Sequence, residues 1–329
     1  MEPLYPLTFE PILLERIWGG RRIESVYNKK LPLHVPIGES WEVSDRPGAE
    51  SIIANGPLQG LTLRWLMEHH RQAIMGKAKD TNGRFPLLVK ILDAQEDLSV
   101  QVHPPGNLAA SLGGESKTEM WRITHADANA HIFTGFKKGI TRETFLKAIE
   151  EKQVPPLLHC NFVKEGDSIL IPSGGVHSLG AGTMVFEFQE NSDTTYRAYD
   201  WDRVDSHGNS RKLHLEEALK SIDFNYVEPP LIQSKFSRNK TLSSRFLVND
   251  PAFICDEYMV KKNQRFYITT TVPVILGIIS GELILSGNGQ SLQLKPGCFA
   301  LLPPGLDKTT IESISKTNYL MCQPHATEV

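Results

Sequence analysis

The chain has 329 residues, of which 40% are hydrophobic and 22% are charged, and its formal net charge at pH 7 is −3. This length and composition suit a globular protein with one large core or two domains. Because the charge is nearly balanced and Lys and Arg are scattered, the composition excludes a basic nucleic-acid groove and a charged membrane-surface helix, and we predict neither partner.

Targeting and redox signals favour the cytoplasm. The first residues lack a basic region followed by an apolar core, so we predict no signal peptide. The most apolar run, residues 272–279, is far shorter than the ~20 residues of a membrane helix, and we predict a buried strand there. The four cysteines are widely spaced without a CxxC pair, which favours buried thiols in a reducing, cytoplasmic compartment.

The first third of the chain reads mostly as short strands. Residues 37–45 alternate large apolar with polar side chains, a pattern typical of a strand. Within residues 60–76 the apolar positions lie three, four or seven apart, which predicts an inserted amphipathic helix. Residues 85–93 form a nearly continuous apolar run that indicates a buried strand.

The strand predicted at residues 98–103 carries the first chemical signal. Apolar and polar residues alternate there, so Gln101 and His103 lie side by side and point the same way before Pro104 and Pro105 end the strand. Two neighbouring donor side chains on a rigid strand make half of a metal site.

The next predicted strand, residues 117–123, places Lys117, Glu119 and Trp121 on one face. Inserted helices are predicted at residues 141–152 and 213–221.

Strands are predicted on both sides of the last helix, and a polar, irregular linker is predicted over residues 229–239. From about residue 241 onward the chain is strand-rich without a convincing helix. Many short strands between Gly and Pro turns predict a mainly β protein, a sandwich or a barrel, with a small inserted helical portion.

Two distant segments share one spacing. Residues 166–177 read Gly-x5-Pro-x-Gly-x2-His and end at His177, and residues 297–308 repeat this spacing but end at Lys308. Such a repeat predicts duplicated β-domains, one of which has kept a ligand. The spacing is similar to the second sequence motif of the cupin β-barrels, although Ala181 stands where that motif usually closes with Asn.

We therefore predict two cupin-type β-barrel (jelly-roll) domains. Residues 1–235 form the metal-binding domain with the helical insertions, and residues 236–329 form a C-terminal domain without metal ligands.

The candidate ligands come from three predicted strands that face one interior. Two His and one carboxylate suit Zn²⁺, and a set of three with open positions also suits non-haem iron. The amide oxygen of Gln101 is a weaker donor, suited to be a fourth ligand or a neighbour of the ligands. For Glu119 the alternative is an exposed strand carboxylate. The predicted ligands are Gln101, His103, Glu119 and His177.

Four motifs, at residues 38–42, 99–104, 117–121 and 196–201, together resemble the class I mannose-6-phosphate isomerases in their short bacterial form. The likeness runs over nearly the whole chain. It implies one zinc ion per chain on the four predicted ligands and a C-terminal cupin domain without ligands. The catalytic residues that it implies are Arg197, Lys117 and Glu187.

The resemblance implies an aldose–ketose isomerase that interconverts mannose 6-phosphate and fructose 6-phosphate by proton transfer through an enediol, with a sugar phosphate as its small-molecule partner. The alternatives are an isomerase of unphosphorylated mannose-type sugars, a non-haem-iron cupin oxygenase and a carbohydrate-binding cupin. The cations Lys117 and Arg197 count against the oxygenase. The oligomeric state, the metal and the identity of the base stay open.

Each implied catalytic residue has a structural alternative. Glu187 is a candidate base, or else a rim carboxylate paired with Arg or Lys. Lys117 is suited to hold phosphate or an enediolate oxygen, or else is a surface lysine. Arg197 is suited to bind an anion through bidentate hydrogen bonds, or else forms an ion pair with Asp200.

Overall fold

The computed structural model describes residues 4–204, 208–306 and 309–327. Lys308, the residue that replaces His in the second motif, lies outside the described residues. In the described chain, none of the helices is long and apolar enough to cross a membrane.

The first part of the chain forms thirteen of the described strands. They are β1 (Ile12–Gly20), β2 (Ile37–Val43), β3 (Asp45–Arg46), β4 (Ala49–Glu50), β5 (Leu87–Ala94), β6 (Val100–Val102), β7 (Glu119–Ala126), β8 (His131–Phe136), β9 (Leu158–Phe162), β10 (Ser168–Ile171), β11 (His177–Leu179), β12 (Thr183–Glu190) and β13 (Tyr196–Tyr199). Apart from the small β3–β4 ribbon, they form a six-stranded sheet in the order β1-β2-β5-β12-β7-β10 and a five-stranded sheet in the order β13-β6-β11-β8-β9. We call these two sheets the N-terminal sheet pair.

The last part of the chain forms a second set of strands. They are β14 (Leu242–Asp250), β15 (Phe253–Val260), β16 (Arg265–Ile268), β17 (Val274–Ser280), β18 (Leu283–Gly287), β19 (Gln290–Leu294), β20 (Phe299–Leu302), β21 (Thr309–Ser313) and β22 (Thr317–Gln323). A five-stranded sheet has the order β14-β15-β22-β17-β20, and a four-stranded sheet has the order β16-β21-β18-β19. We call these two sheets the C-terminal sheet pair.

Helices are few and short, so the prediction of a mainly β protein with a small helical portion is confirmed. The α-helices are α1 (Arg22–Tyr27), α2 (Leu63–His69), α3 (Arg71–Met75), α4 (Gly106–Ala109), α5 (Arg142–Glu150) and α6 (Leu215–Ser221). Single 3₁₀ turns lie at Ala110–Leu112 and Pro155–Leu157. Helices α1 and α4 were not predicted from the sequence.

The single helix predicted within residues 60–76 is two helices. The backbone of His70 leaves the helical region (φ −132°, ψ 25°) and separates α2 from α3. Thr62 caps the first helix by accepting a hydrogen bond from the Trp65 amide, and Gly76, with φ 54°, ends the second. Both helices bury the predicted apolar stripe, so the hydrophobic period was right and the continuity was wrong.

The six-stranded sheet is buried on both faces. On β7, Glu119 and Trp121 face the interior of the N-terminal sheet pair, whereas Met120 packs in the apolar core on the opposite face. That core is continuous with the C-terminal sheet pair, where Phe299 of β20 packs against Phe186 of β12 at a ring-centroid distance of 4.7 Å. The C-terminal sheet pair therefore covers the outer face of the sheet whose inner face carries the predicted site. The boundary predicted near residue 235 lies in the irregular segment between α6 and β14 and stays a prediction.

Candidate active site

His103, Glu119 and His177 meet inside the N-terminal sheet pair. They follow β6, begin β7 and begin β11, and all three are fully buried. Their ligand atoms lie within 4.8 Å of one another. Each carboxylate oxygen of Glu119 is 3.3 Å from the Nε2 atom of one histidine. Three distant segments thus bring two imidazoles and a carboxylate to one point, an arrangement that suits a divalent transition metal.

The two imidazoles are oriented by the backbone. The Nδ1 atom of His103 donates to the Thr194 carbonyl oxygen at 2.8 Å, and that of His177 donates to the Gly175 carbonyl oxygen at 2.9 Å. Because a carbonyl only accepts, both rings carry their proton on Nδ1 and point a bare Nε2 at the centre. Burial, with the nearby Lys117 ammonium, lowers the pKa of His103 to about 3, and burial lowers the pKa of His177. Both rings are neutral, as metal ligation requires.

Gln101 borders this centre through its strand pairing. It is the register partner of His177 on β11 and of Arg197 on β13. Its side-chain nitrogen lies 3.1 Å from His177 Nε2, and its oxygen accepts a hydrogen bond from Ser99. Since the two ends of an amide exchange on a half-turn of the terminal torsion, Gln101 can present oxygen to the centre and serve as a fourth donor.

The electrostatics at Glu119 fit a bound cation. Neither oxygen of this buried carboxylate accepts a hydrogen bond. The Lys117 ammonium lies beside Oε2 and 3.2 Å from His103 Nε2. Although burial alone raises the pKa of Glu119, the Lys117 charge and the two histidines hold it well below its ordinary value. A metal ion here would meet an ionised carboxylate and the Nε2 lone pairs of two neutral imidazoles.

A cavity of about 490 Å³ opens beside these groups, within the size range of small-molecule sites. Its walls are strongly charged. The basic side chains that line it are Arg16, Lys90, Lys117, Arg197 and Arg211, and the acidic ones are Glu15, Glu39, Glu187 and Asp193. Such a lining suits a polar, anionic ligand and disfavours an apolar one.

Glu187 lies on the wall of this cavity, not at its rim. It is 2% exposed, and its Oε2 accepts a hydrogen bond from Trp121 Nε1 at 2.8 Å. Its Oε1 lies 3.3 Å from Lys90 Nζ and 3.9 Å from Lys117 Nζ. Burial, together with the Glu119 charge, raises the pKa of Glu187, and the two lysines oppose that rise. A buried carboxylate with a raised pKa can both accept and donate a proton.

Arg197 does not form the ion pair with Asp200 that was its structural alternative. Asp200 accepts hydrogen bonds from Arg203 at 2.7 Å and from Arg211 Nε at 2.7 Å. Arg197 donates from Nη1 to the Lys212 carbonyl oxygen at 2.8 Å, and its Nε has no hydrogen-bond partner. Within the described part of the chain it makes no salt bridge, so its charge is available to an anion in the cavity.

Comparison with known proteins places this arrangement in a family. A profile described as "Phosphomannose isomerase type I, catalytic domain" matches residues 7–117. The chain is 34% identical over 318 residues to the mannose-6-phosphate isomerase ManA of Bacillus subtilis, covering 94% of this chain and 97% of that protein. It is 33% identical over 300 residues to the mannose-6-phosphate isomerase of Streptococcus mutans, covering 91% and 92%.

The chain belongs to the type I phosphomannose isomerases. A crystal structure of the mannose 6-phosphate isomerase from Bacillus subtilis superposes on 97% of this chain and 99% of its own with a TM-score of 0.87 at 30% identity. The resemblance shown by the four sequence motifs and the predicted cupin-type β fold are both confirmed.

The type I isomerase profile ends at Lys117 and so leaves out Glu119 and His177, which the structure brings to the same point as His103. The profile match alone therefore does not imply that these three side chains meet. In the structure they do, although His103 and His177 lie 74 residues apart in the chain.

Sequence reasoning missed part of the charged wall. Lys90 lies 3.5 Å from Glu39 and 3.3 Å from Glu187, and Glu39 also accepts hydrogen bonds from Arg16 at 2.5 Å and from Trp41 Nε1 at 2.8 Å. Although burial alone disfavours the ammonium, the two carboxylates raise the pKa of Lys90. The available signal was a single lysine inside the otherwise apolar run at residues 85–93, since such a residue is buried only with partners.

Proposed function

We propose that this protein is a zinc-dependent aldose–ketose isomerase that interconverts mannose 6-phosphate and fructose 6-phosphate through an enediol. The observation that carries the proposal is that a candidate metal-binding cluster lies next to a candidate proton-transfer group. Two neutral imidazoles and an ionised carboxylate converge beside a buried carboxylate, Glu187, whose pKa is raised. The names of the relatives support the substrate.

We propose that His103, Glu119, His177 and Gln101 hold one zinc ion per chain. Neutral nitrogen donors with one carboxylate are a common zinc set, and the bare Nε2 atoms and the carboxylate of Glu119 are its donors here. When bound, zinc supplies a Lewis acid that favours the developing negative charge on the sugar oxygens.

The proton transfer is proposed for the chain's own side chains. Glu187 accepts the proton from C2 of the aldose and returns it to C1, while the hydroxyl proton of O2 passes to O1, which gives the ketose. The reverse reaction uses the opposite order. Lys117, between Glu119 and Glu187, donates hydrogen bonds toward the enediolate oxygen. Lys90 keeps Glu187 ionised between turnovers, because its ammonium lies 3.3 Å from Oε1.

We assign the anionic end of the substrate to Arg197. Its guanidinium is half-buried at the cavity wall, lacks a carboxylate partner in the described chain, and can bind a planar pair of oxygens. The unpaired guanidinium of Arg197 also favours a phosphorylated sugar as the substrate. An unphosphorylated sugar or an oxygenase substrate would not need an unpaired cation in the cavity.

The test combines metal analysis with a coupled isomerase assay. Purified protein is expected to hold about one zinc per chain, to lose turnover on chelation, and to regain it with zinc better than with iron. Mannose 6-phosphate is expected to be converted far faster than free mannose. Full turnover after complete metal removal would overturn the metal role, and equal rates on the two sugars would overturn the phosphate assignment.

A further inference from the structure

The face of the six-stranded sheet that turns away from the cavity packs against the C-terminal sheet pair. Most of this contact is apolar, as in the packing of Phe186 and Phe188 against Phe299 at ring-centroid distances of 4.7 and 6.2 Å. Apolar contacts of this kind are strong but weakly directional, so they hold two layers together without fixing how one strand sits in its sheet.

One charged cluster interrupts this apolar contact. Glu257 of β15 is fully buried, and both its oxygens are saturated with donors. Arg122 of β7 donates from Nε at 3.0 Å and from Nη2 at 2.6 Å, and Arg245 of β14 donates from Nε at 2.7 Å and also from Nη2. Asn318 of β22 adds a fifth hydrogen bond at 2.8 Å. Although burial raises the pKa of Glu257, Arg122 holds it below its ordinary value.

The cluster contacts β7, the strand that carries Glu119, which we call the metal carboxylate. Arg122 lies three residues after Glu119 on β7, and its Nη1 also donates to the Ile123 carbonyl oxygen of the same strand at 2.5 Å. Arg245 reaches the neighbouring segment, because its Nη2 donates to the Gly166 carbonyl oxygen at 2.7 Å. That segment leads into β10, where Ile171 is the register partner of Glu119.

From these contacts we propose that Glu257 is a positioning residue for the metal carboxylate and acts through Arg122. The proposal deepens the proposed function and rests on it. The C-terminal sheet pair, which has no metal-ligand cluster of its own in the described chain, thereby fixes the position of β7 in its sheet. Bidentate bonds between Arg and a carboxylate fix direction as well as distance. A shift of β7 would displace Glu119 and, through Trp121, the hydrogen bond to Glu187.

The test variant is Glu257→Gln, which keeps the shape of the side chain and removes its charge. The matched control is Leu285→Ala, which opens a cavity at a fully buried position of β18, in the four-stranded sheet of the same sheet pair, which does not include β15 or β7. For each protein, zinc affinity is measured by competition with a chelator, and hydrogen–deuterium exchange of residues 117–126 is measured in the metal-free state. Unfolding in urea gives the stability of each.

We expect Glu257→Gln to bind zinc about tenfold more weakly, in line with the loss seen when groups that orient metal ligands are removed. Exchange in residues 117–126 should be faster and kcat lower, with KM for mannose 6-phosphate little changed. Leu285→Ala should lose stability without either change. Equal zinc affinity in Glu257→Gln and wild type, or an equal loss in the control, would overturn the positioning role.

Should Glu257→Gln fail to fold, Arg245→Met provides the second variant, because it removes the two hydrogen bonds of Arg245 to Glu257 and the one to Gly166 and leaves Glu257 paired with Arg122. It is expected to show the same changes to a smaller degree, and unchanged exchange and affinity would contradict the proposal. A wild-type protein that neither binds zinc nor isomerises the sugar would instead overturn the proposed function, which keeps the two failures distinct.

Discussion

The N-terminal and C-terminal sheet pairs share one motif but fill their interiors differently. In the first, the turn at residues 172–175 leads to His177, which lies beside a charged cavity. In the second, the strands enclose apolar side chains, such as Leu283, Leu285 and Ile311, all fully buried. The same turn geometry therefore serves a reactive interior in one case and a packed interior in the other.

This contrast shows what a charged interior requires. The buried carboxylates at and beside the cavity have opposite partners, as Glu187 has Lys90 and Glu119 has Lys117. Burying such groups without partners costs several kcal/mol each. The C-terminal sheet pair avoids that cost inside its own core, and it uses one compensated cluster, at Glu257, to hold the other sheet pair.

The largest effect is expected when His177, which ends the first motif, is replaced by lysine, the residue that ends the second motif. His177→Lys should abolish zinc binding and lower kcat by about 10³-fold, because an ammonium cannot ligate a metal and several kcal/mol of charge stabilisation are lost. The new ammonium can pair with Glu119, so the fold should persist. Metal content, circular dichroism and the coupled assay measure these outcomes.

The control for this variant is His69→Lys, an exposed position on α2 that makes the same chemical change outside the cavity. It should retain wild-type metal and turnover. Retained turnover in His177→Lys would show that the first motif does not supply a necessary ligand.

Much of this site was predictable because its signals are local. The period of two at Gln101 and His103 and the spacing that ends at His177 depend only on strand geometry and turn residues. The amphipathic stripe of α2 and α3 was equally readable, whereas the break at His70 depends on how the two helices pack. Local sequence patterns therefore predict which face of a helix or strand a side chain lies on, but not which distant residue it contacts.

Pairs far apart in the chain were not predictable from one sequence. Arg122 and Glu257 lie 135 residues apart, and nothing in either neighbourhood indicates the other. The same is true of Lys90 and Glu187, which meet only because β5 and β12 are neighbours in the sheet. Strand order, which decides such pairs, is set by the packing of the whole domain.

The contact between the sheet pairs can be weakened at Phe299. Phe299→Ala should lower the free energy of unfolding by about 3–5 kcal/mol, because it leaves a cavity against Phe186. Phe162, 72% exposed on β9, provides the matched control, and Phe162→Ala should change stability by less than about 0.5 kcal/mol. Urea unfolding measures both, and similar values for the two would contradict this description of the contact.

A smaller effect is expected when one arginine in each sheet pair is replaced by lysine. Arg197→Lys should lower kcat/KM for mannose 6-phosphate about 10–100-fold with metal content unchanged, because a lysine keeps the charge but loses one bond to a charged oxygen. Arg265→Lys, at an exposed position of β16 in the C-terminal sheet pair, should have no effect. A wild-type rate for Arg197→Lys would remove this guanidinium from substrate binding.

The smallest predicted effect is a pH dependence that only the charged interior should show. Burial raises the pKa of Glu39, but Lys90 and Arg16 outweigh it and lower that pKa from 4.5 to about 2. Its stabilising contribution is therefore complete above the unfolded value, near pH 4.5, and is lost as the pH falls toward 2. The groups that face it are Arg16, Lys90 and Trp41, and the two cations stay charged over that range.

The stability difference between wild type and Glu39→Gln should accordingly be constant from pH 8 to 6 and should shrink by about 1 kcal/mol between pH 7 and pH 4. Urea unfolding at each pH measures this difference. Glu150→Gln, which removes an exposed carboxylate at the end of α5, is the control and should differ from wild type by less than about 0.5 kcal/mol throughout. A difference for Glu39→Gln that stays constant to pH 4 would mean that Lys90 and Arg16 do not hold this carboxylate ionised, and the charged wall would then lack the compensation that separates it from the apolar interior.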